Sequence, residues 1–299
     1  MATEKAGTPP VPDTEERLAL TAALVTVVLW GSAFVGIRAA GRDISAGPLT
    51  LGRLFIGALI LGVIVLYRRG SVPSRAQLPR LLAYGIIWFG FYNIALNASE
   101  QRIDAGTASM LISLGPIFIA VLAGLLLGEG FPRPLLIGGG IAFSGAILIG
   151  LATLGHSSSA AIGSLLCVLA AMAYACGVIL QKPLLKDTSA LTVTWLGCVI
   201  GSVVCLPFAP QLIGELGDAD GETIAWTVYL GVLPTALAFT TWAYALARTT
   251  AGRMGAMTYL VAPFAVLLSW LFLGEVPEWL AIAGGVLCLG GVVYAQRKK

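Results

Sequence analysis

Apolar residues in this chain run together; they neither alternate nor recur at a three-to-four spacing. Eight stretches hold no charged residue: Leu18–Ile37, Leu81–Ser99, Ala105–Gly128, Pro134–Gln181, Thr188–Gly214, Thr223–Ala247, Met254–Gly274 and Trp279–Gln296. A helix that crosses a bilayer needs about 20 mainly apolar residues, and each stretch meets or approaches that length. Pro134–Gln181 is long enough for two crossings and is divided by the glycine and serines of Gly155–Ser159. Residues 47–67 make a further crossing with one charge, Arg53. Pro48, Pro79, Pro134 and Pro277 fall in first turns, where a missing N–H leaves nothing unpaired. The pattern predicts helices over 18–39, 47–67, 78–98, 104–127, 134–154, 160–181, 190–206, 223–246, 253–273 and 277–295. The fold expected is an all-α membrane protein of ten transmembrane helices.

Residues 1–17, polar and carrying Pro9, Pro10 and Pro12, read as a disordered cytoplasmic tail. The first helix is too long for a signal peptide and lacks its small-residue cleavage site. Composition agrees with the helices: 58% of the residues are hydrophobic and 11% charged, against about 25% charged in soluble domains. The net charge of +3 is unevenly placed and speaks of orientation, not of nucleic acid. With the N-terminus in the cytoplasm, inner segments hold Lys5, Arg17, Arg68, Arg69, Arg75, Arg80, Arg133, Lys182, Lys186, Arg248, Arg253, Arg297, Lys298 and Lys299. Outer segments hold only Arg38, Arg42 and Arg102. That excess predicts both termini inside, with the acidic connection 207–222 outside.

Other chemistries lack their residues. The five cysteines lie in apolar runs without metal-ligand spacing and read as small packing residues. His156 is the one histidine. No P-loop and no G-x-S-x-G elbow occurs. The expectation is a protein that is not an enzyme and that carries no cofactor and no metal.

The sequence also repeats itself. At an offset of 146, thirteen residues between 102 and 145 recur as the same type, among them Arg102, Ala105 and Gly106 with Arg248, Ala251 and Gly252. Gly128 and Glu129 recur as Gly274 and Glu275. Two five-helix units follow, 18–154 and 160–296. An odd number of crossings turns the second unit upside down, the inverted-repeat plan of secondary transporters, whose site lies near the midplane between the halves.

Particular residues resemble a known family. Leu29-Trp-Gly-Ser-Ala-Phe34, Pro48-Leu-Thr-Leu-Gly-Arg53, and the segments Gly106–Glu129 and Gly252–Glu275 are similar to the EamA family of the drug/metabolite transporter superfamily. The likeness runs from about Leu18 to Tyr294 and extends to its aromatic amino acid exporters. It implies ten helices, a bacterial inner-membrane location and export of amino acids or other metabolites.

Candidate site residues come from polar and aromatic faces. Asn93, Asn97 and Glu100 form a stripe on the third helix, and asparagine in hydrocarbon is costly unless it faces protein or water. At the 146 offset Phe89, Asn93 and Leu96 match Thr235, Phe239 and Trp242, and Ser109 and Ser113 match Gly255 and Tyr259. With Trp30 and Tyr174 these outline an aromatic, hydrogen-bonding cavity, with helix packing as the competing use of each polar residue. The expected substrate-binding set is Trp30, Asn93, Asn97, Ser109, Ser113, Tyr174, Thr235, Phe239, Trp242 and Tyr259. Pro116, Pro234 and Pro263 are expected to kink their helices, freeing carbonyls such as those of Ile112 and Tyr259. Glu129 and Glu275 are read as structural, accepting N–H groups of the helix that follows each. Arg53 is read as a structural charge, with a substrate carboxylate as its alternative partner. Gly124–Gly128 and Gly197–Gly201 read as close-packing pairs.

No acid lies in the first helix, where related four-helix multidrug exporters carry a glutamate, and no lysine lies mid-membrane, as sugar-phosphate carriers would need. The expected partners are therefore the lipid bilayer and a neutral or zwitterionic amphipath, with no nucleic acid. The chain is expected to act as a monomer, a dimer being left open. Carriers of drugs, nucleotide sugars or sugar phosphates remain the alternative, with a channel or an intramembrane enzyme as readings from other classes.

Overall fold

A computed structural model describes residues 14–68, 73–126, 133–154, 157–249, 254–255 and 257–295. Seven helical stretches there are long and apolar enough to cross a membrane, and three shorter apolar helices bring the set to ten. They are α1 Thr14–Ala40, α2 Ala46–Tyr67, α3 Arg75–Glu100, α4 Ala105–Leu126, α5 Arg133–Leu154, α6 Ser158–Leu184, α7 Ala190–Asp218, α8 Gly221–Arg248, α9 Thr258–Leu273 and α10 Trp279–Ala295. The protein is a multi-pass, all-helical membrane protein built from two inverted five-helix repeats.

Two expectations about helix limits change. Thr14–Arg17, assigned to the tail, belong to α1, whose first turn carries Glu15 and Glu16, charges that suit a helix N-terminus. The 207–222 connection is mostly helical: α7 runs on through the amphipathic segment Ala209–Asp218. Glu215 of that segment accepts from the backbone N–H of Ser45 at 2.9 Å and from its hydroxyl, which pins the α1–α2 turn. Asp220 caps α8 through the Thr223 N–H at 2.7 Å, and that bond holds its carboxyl below the usual range.

The repeat extends into the backbone. Both α3 and α8 carry a π-helical segment, Gly85–Tyr92 and Gly231–Leu237, with starts 146 residues apart. Pro234 sits in the second one, where the widened turn accommodates a residue that has no N–H to place. Likewise α4 breaks at Ser113–Leu114, and α9 opens with a 3-10 turn over Thr258–Leu260. Pro116 and Pro263 follow these breaks, in the first turns of Gly115–Leu126 and Val261–Leu273. Each discontinuity therefore precedes its proline, and the ring occupies a position where no N–H is needed.

A second register governs the first two helices of each repeat. α1 ends at Ala40 and α6 at Leu184, and Ser45 and Ser189 precede α2 and α7, both 144 apart. In this register Arg38, Arg42 and Asp43 match Lys182, Lys186 and Asp187, and Trp30 matches Tyr174.

Helices α5 and α10 pack on each other through small residues. A Cβ added to Gly138 would meet the Gly291 carbonyl at 2.3 Å, and one at Gly145 that of Gly284 at 2.4 Å. Cys288 Sγ sits 3.2 Å from the Ala142 carbonyl. Backbone contact this close requires glycine. Elsewhere Gly197 and Gly201 face Phe89, as the close-packing expectation has it; Gly128 lies outside the described residues.

Candidate functional site

A cavity opens between the repeats. Its walls come from α1 (Trp30, Phe34, Ile37), α2 (Arg53), α3 (Tyr92, Asn93, Leu96) and α4 (Ser109, Ile112, Ser113) of the first repeat. The second contributes Tyr174 from α6, Phe239 from α8, and Thr258 and Val261 from α9. The free space is about 40 Å³, room for a few waters at roughly 10–15 Å³ each.

Much of the wall is aromatic. Trp30 lies 5.2 Å from Phe239, 6.2 Å from Tyr174 and 5.0 Å from Trp242, ring centre to ring centre. Trp88 touches the same group from α3, at 5.5 Å from Tyr174 and 5.4 Å from Phe239. Edge-to-face and tilted arrangements dominate, as ring quadrupoles favour.

Apart from Arg53 and the tyrosines, the polar groups of the wall present acceptors. Ser109 donates its hydroxyl to the Gly106 carbonyl at 2.7 Å, Ser113 to that of Ser109 at 3.0 Å, and Thr258 to that of Gly255 at 2.7 Å. With those protons used on the backbone, the oxygens have lone pairs left to offer. Asn93 spends its amide N–H groups on the carbonyls of Trp88 and Phe89, at 3.2 and 2.9 Å, within the π-helical segment. Its Oδ1 is thereby the free end. Pro116 has no N–H to give the Ile112 carbonyl.

Of the expected substrate-binding residues, Trp30, Asn93, Ser109, Ser113, Tyr174 and Phe239 line the cavity together. The others stand behind it. Asn97 joins α3 to α2 through Thr50 Oγ1 at 2.9 Å. Thr235 accepts from Arg53 Nε at 3.0 Å. Trp242 packs behind Trp30 and donates its N–H to Gln181 at 3.1 Å. Tyr259 is buried beside Thr258 in the core.

The charges differ from expectation in detail. Glu275 does not hold the start of α10: it pairs with Arg38 at 2.7 Å and faces the Ala105 N–H of α4 at 3.4 Å. The guanidinium is a stronger partner for the carboxylate than a neutral backbone N–H. Glu129 lies outside the described residues. Arg53 caps no helix C-terminus; it lines the cavity. Phe34, Tyr92 and Thr258 were missed as lining residues. Phe34 was readable from Trp30–Ala33–Phe34–Ile37, a helical stripe. Thr258 was not, because the 3-10 turn shifts the facing position by one.

Two five-helix units meeting at one cavity are matched by the EamA-like transporter family, which covers residues 17–151 and again 161–295. The chain belongs to that family. This EamA-family chain is 35% identical, over 94% of both sequences, to a protein of Streptantibioticus cattleyicolor named a probable terminal-alkyne amino-acid exporter. It is 28% identical, over 90% of itself and 92% of its relative, to a probable amino-acid metabolite efflux pump of Salmonella typhimurium. A solved structure superposes with a TM-score of 0.65 over 93% of this chain and 96% of its own, at 18% identity, a likeness of fold alone.

Proposed function

We propose that this EamA-family transporter exports small neutral amino acids, aromatic or otherwise apolar, across the bacterial inner membrane by alternating access at the cavity between its repeats. The observation that carries this reading is the wall: aromatic rings, hydroxyl and amide acceptors, and Arg53 as the one cation among the described lining residues. The acceptors suit an ammonium group, and the rings suit an apolar side chain worth about 0.5–1.5 kcal/mol of stacking beyond its area. A single guanidinium suits one carboxylate better than the two or more charges of a phosphate. The amino-acid names of the relatives support the same class. The cavity is too small for an aromatic amino acid as it stands, so loading requires the repeats to part. Both termini are taken as cytoplasmic, from the cation distribution, and the chain as a monomer.

Purified protein in liposomes tests this reading. Counterflow of labelled phenylalanine, tryptophan, threonine or methionine that saturates with concentration is expected. Flux linear in concentration would mean a channel, and no flux with any of the four would remove amino acids from consideration.

A further inference from the structure

Arg53 is 3% exposed, and its guanidinium is split between two surroundings. Nε reaches across the repeat boundary to Thr235 Oγ1 at 3.0 Å, while Nη1, equally buried, has no hydrogen-bond partner. A buried N–H of a permanent cation without an acceptor is costly, so its retention calls for a reason. Glu100, buried on α3 with both carboxylate oxygens lacking a hydrogen-bond partner, does not supply Arg53 with that acceptor. No ion pair joins them: among the described residues, Arg38 and Glu275 form the one salt bridge. Fold does not supply the reason either. In the 144 register the counterpart of Arg53 is Gly197, and at the 146 offset the counterpart of Thr235 is Phe89. A Cβ at Gly197 would lie 2.6 Å from Phe89. The same contact therefore closes in the second repeat with no side chain at that position.

We infer that Arg53 is the carboxylate anchor of the substrate: Nη1 takes a carboxylate oxygen, Thr235 holds the guanidinium in place, and the acceptor wall of Asn93, Ser109 and Ser113 takes the ammonium. The inference rests on the amino-acid reading above and sharpens it. The cargo must keep its α-carboxylate, and amides, esters and decarboxylated amines of the same side chain are discriminated against.

Ligand binding to the purified full-length protein in detergent, followed by tryptophan fluorescence, separates the two readings. The probes are phenylalanine, phenylalaninamide and 3-phenylpropionate. Wild-type protein is expected to bind phenylalanine roughly 10- to 100-fold more tightly than the amide, the range for a hydrogen bond to a charged group. Arg53→Gln should reduce that ratio to about threefold or less and abolish 3-phenylpropionate binding. If Arg53→Gln is not recovered folded, Arg53→Lys serves. It keeps the charge without the planar fork and should lower the ratio by about tenfold. A ratio unchanged in whichever variant folds overturns the anchor and leaves the amino-acid reading intact. Binding of 3-phenylpropionate that depends on Arg53, with no binding of phenylalanine, keeps the anchor and overturns the amino-acid reading.

Discussion

The two repeats share a backbone and differ in what they bury. Thr50, Arg53, Asn97 and Glu100 are buried on α2 and α3 of the first repeat. Their counterparts in the second are Thr194 and Gly197 in the 144 register, and Ala243 and Leu246 at the 146 offset. The π-helical segments, the broken α4 and α9, and the cations at the ends of α1 and α6 all recur. Symmetry therefore sets where helices widen or break, while departures from it set the chemistry. Among the described residues buried charge belongs to the first repeat. Both repeats put rings on the cavity, Trp30 and Tyr92 from one and Tyr174 and Phe239 from the other, and a zwitterionic amphipath needs charge and rings together.

The sharpest way to break this comparison is to put a side chain where the second repeat has none. Gly197→Leu forces its Cβ to within 2.6 Å of Phe89 and 2.9 Å of Tyr84. Overpacking of this kind costs about 1–3 kcal/mol, and a large fall in extractable, monodisperse protein is expected. Phe89→Ala in the same chain should recover much of it by opening the space. Equal yields of Gly197→Leu and wild type, or a double variant no better than the single, would show that the two contacts are not equivalent.

A smaller effect comes from exchanging polarity at one matched pair. Ala243→Asn places an amide at a fully buried site, which costs about 1–3 kcal/mol if no partner is found. Asn97→Ala removes the bond to Thr50, but Thr50 keeps its own donation to the Ala46 carbonyl at 2.7 Å. No donor is stranded, so about 1 kcal/mol is expected. Thermal unfolding should rank Ala243→Asn below Asn97→Ala. The reverse order would mean that the second repeat has room for polarity after all.

Much of this was legible in the residues, and what was hidden has physical causes. Run length and missing charge located ten helices because the bilayer imposes a fixed span. The 146 offset was visible where α4 and α9 repeat the same Gly, Leu and Glu. The 144 register was hidden because its pairs are alike in kind, not in identity: Arg38 with Lys182, Trp30 with Tyr174. A π turn has no composition of its own, and it differs from an α turn by one residue per bond. Phe239 and Trp242 share a helix face, so periodicity could not tell which reaches the cavity. Depth decides: Phe239 lines it and Trp242 backs it. Arg53 was readable as a buried charge, but which of its nitrogens lacks a partner depends on Thr235, a residue 182 positions away.

The mildest expected effect concerns the helix ends. Arg38 donates Nη1 to the Glu100 carbonyl at 2.6 Å, closing the C-terminus of α3, and Lys182 does the same for α8 at the Leu246 carbonyl, with Thr249 at 2.6 Å besides. The contacts match under the two registers, so each cation serves the exposed carbonyls of a helix end. Arg38 has an additional partner, Glu275, which ties α1 of the first repeat to the end of α9 in the second. Both side chains are partly in solvent, 32% and 23% exposed, so the pair itself should contribute no more than about 1 kcal/mol. Arg38→Gln, Glu275→Gln and the double variant, compared by thermal unfolding at low and high salt, isolate that coupling. Shifts of roughly 2 °C or less are expected for the coupling, shrinking at high salt as an exposed pair should. Lys182→Gln should lower stability by a similar amount but show no coupling to Glu275, since it serves the opposite end of the bundle. A coupling of several kcal/mol between Arg38 and Glu275, insensitive to salt, would mean that this end of the bundle is far drier than its exposure indicates. The two repeats would then differ in how firmly they are closed as well as in what they bury.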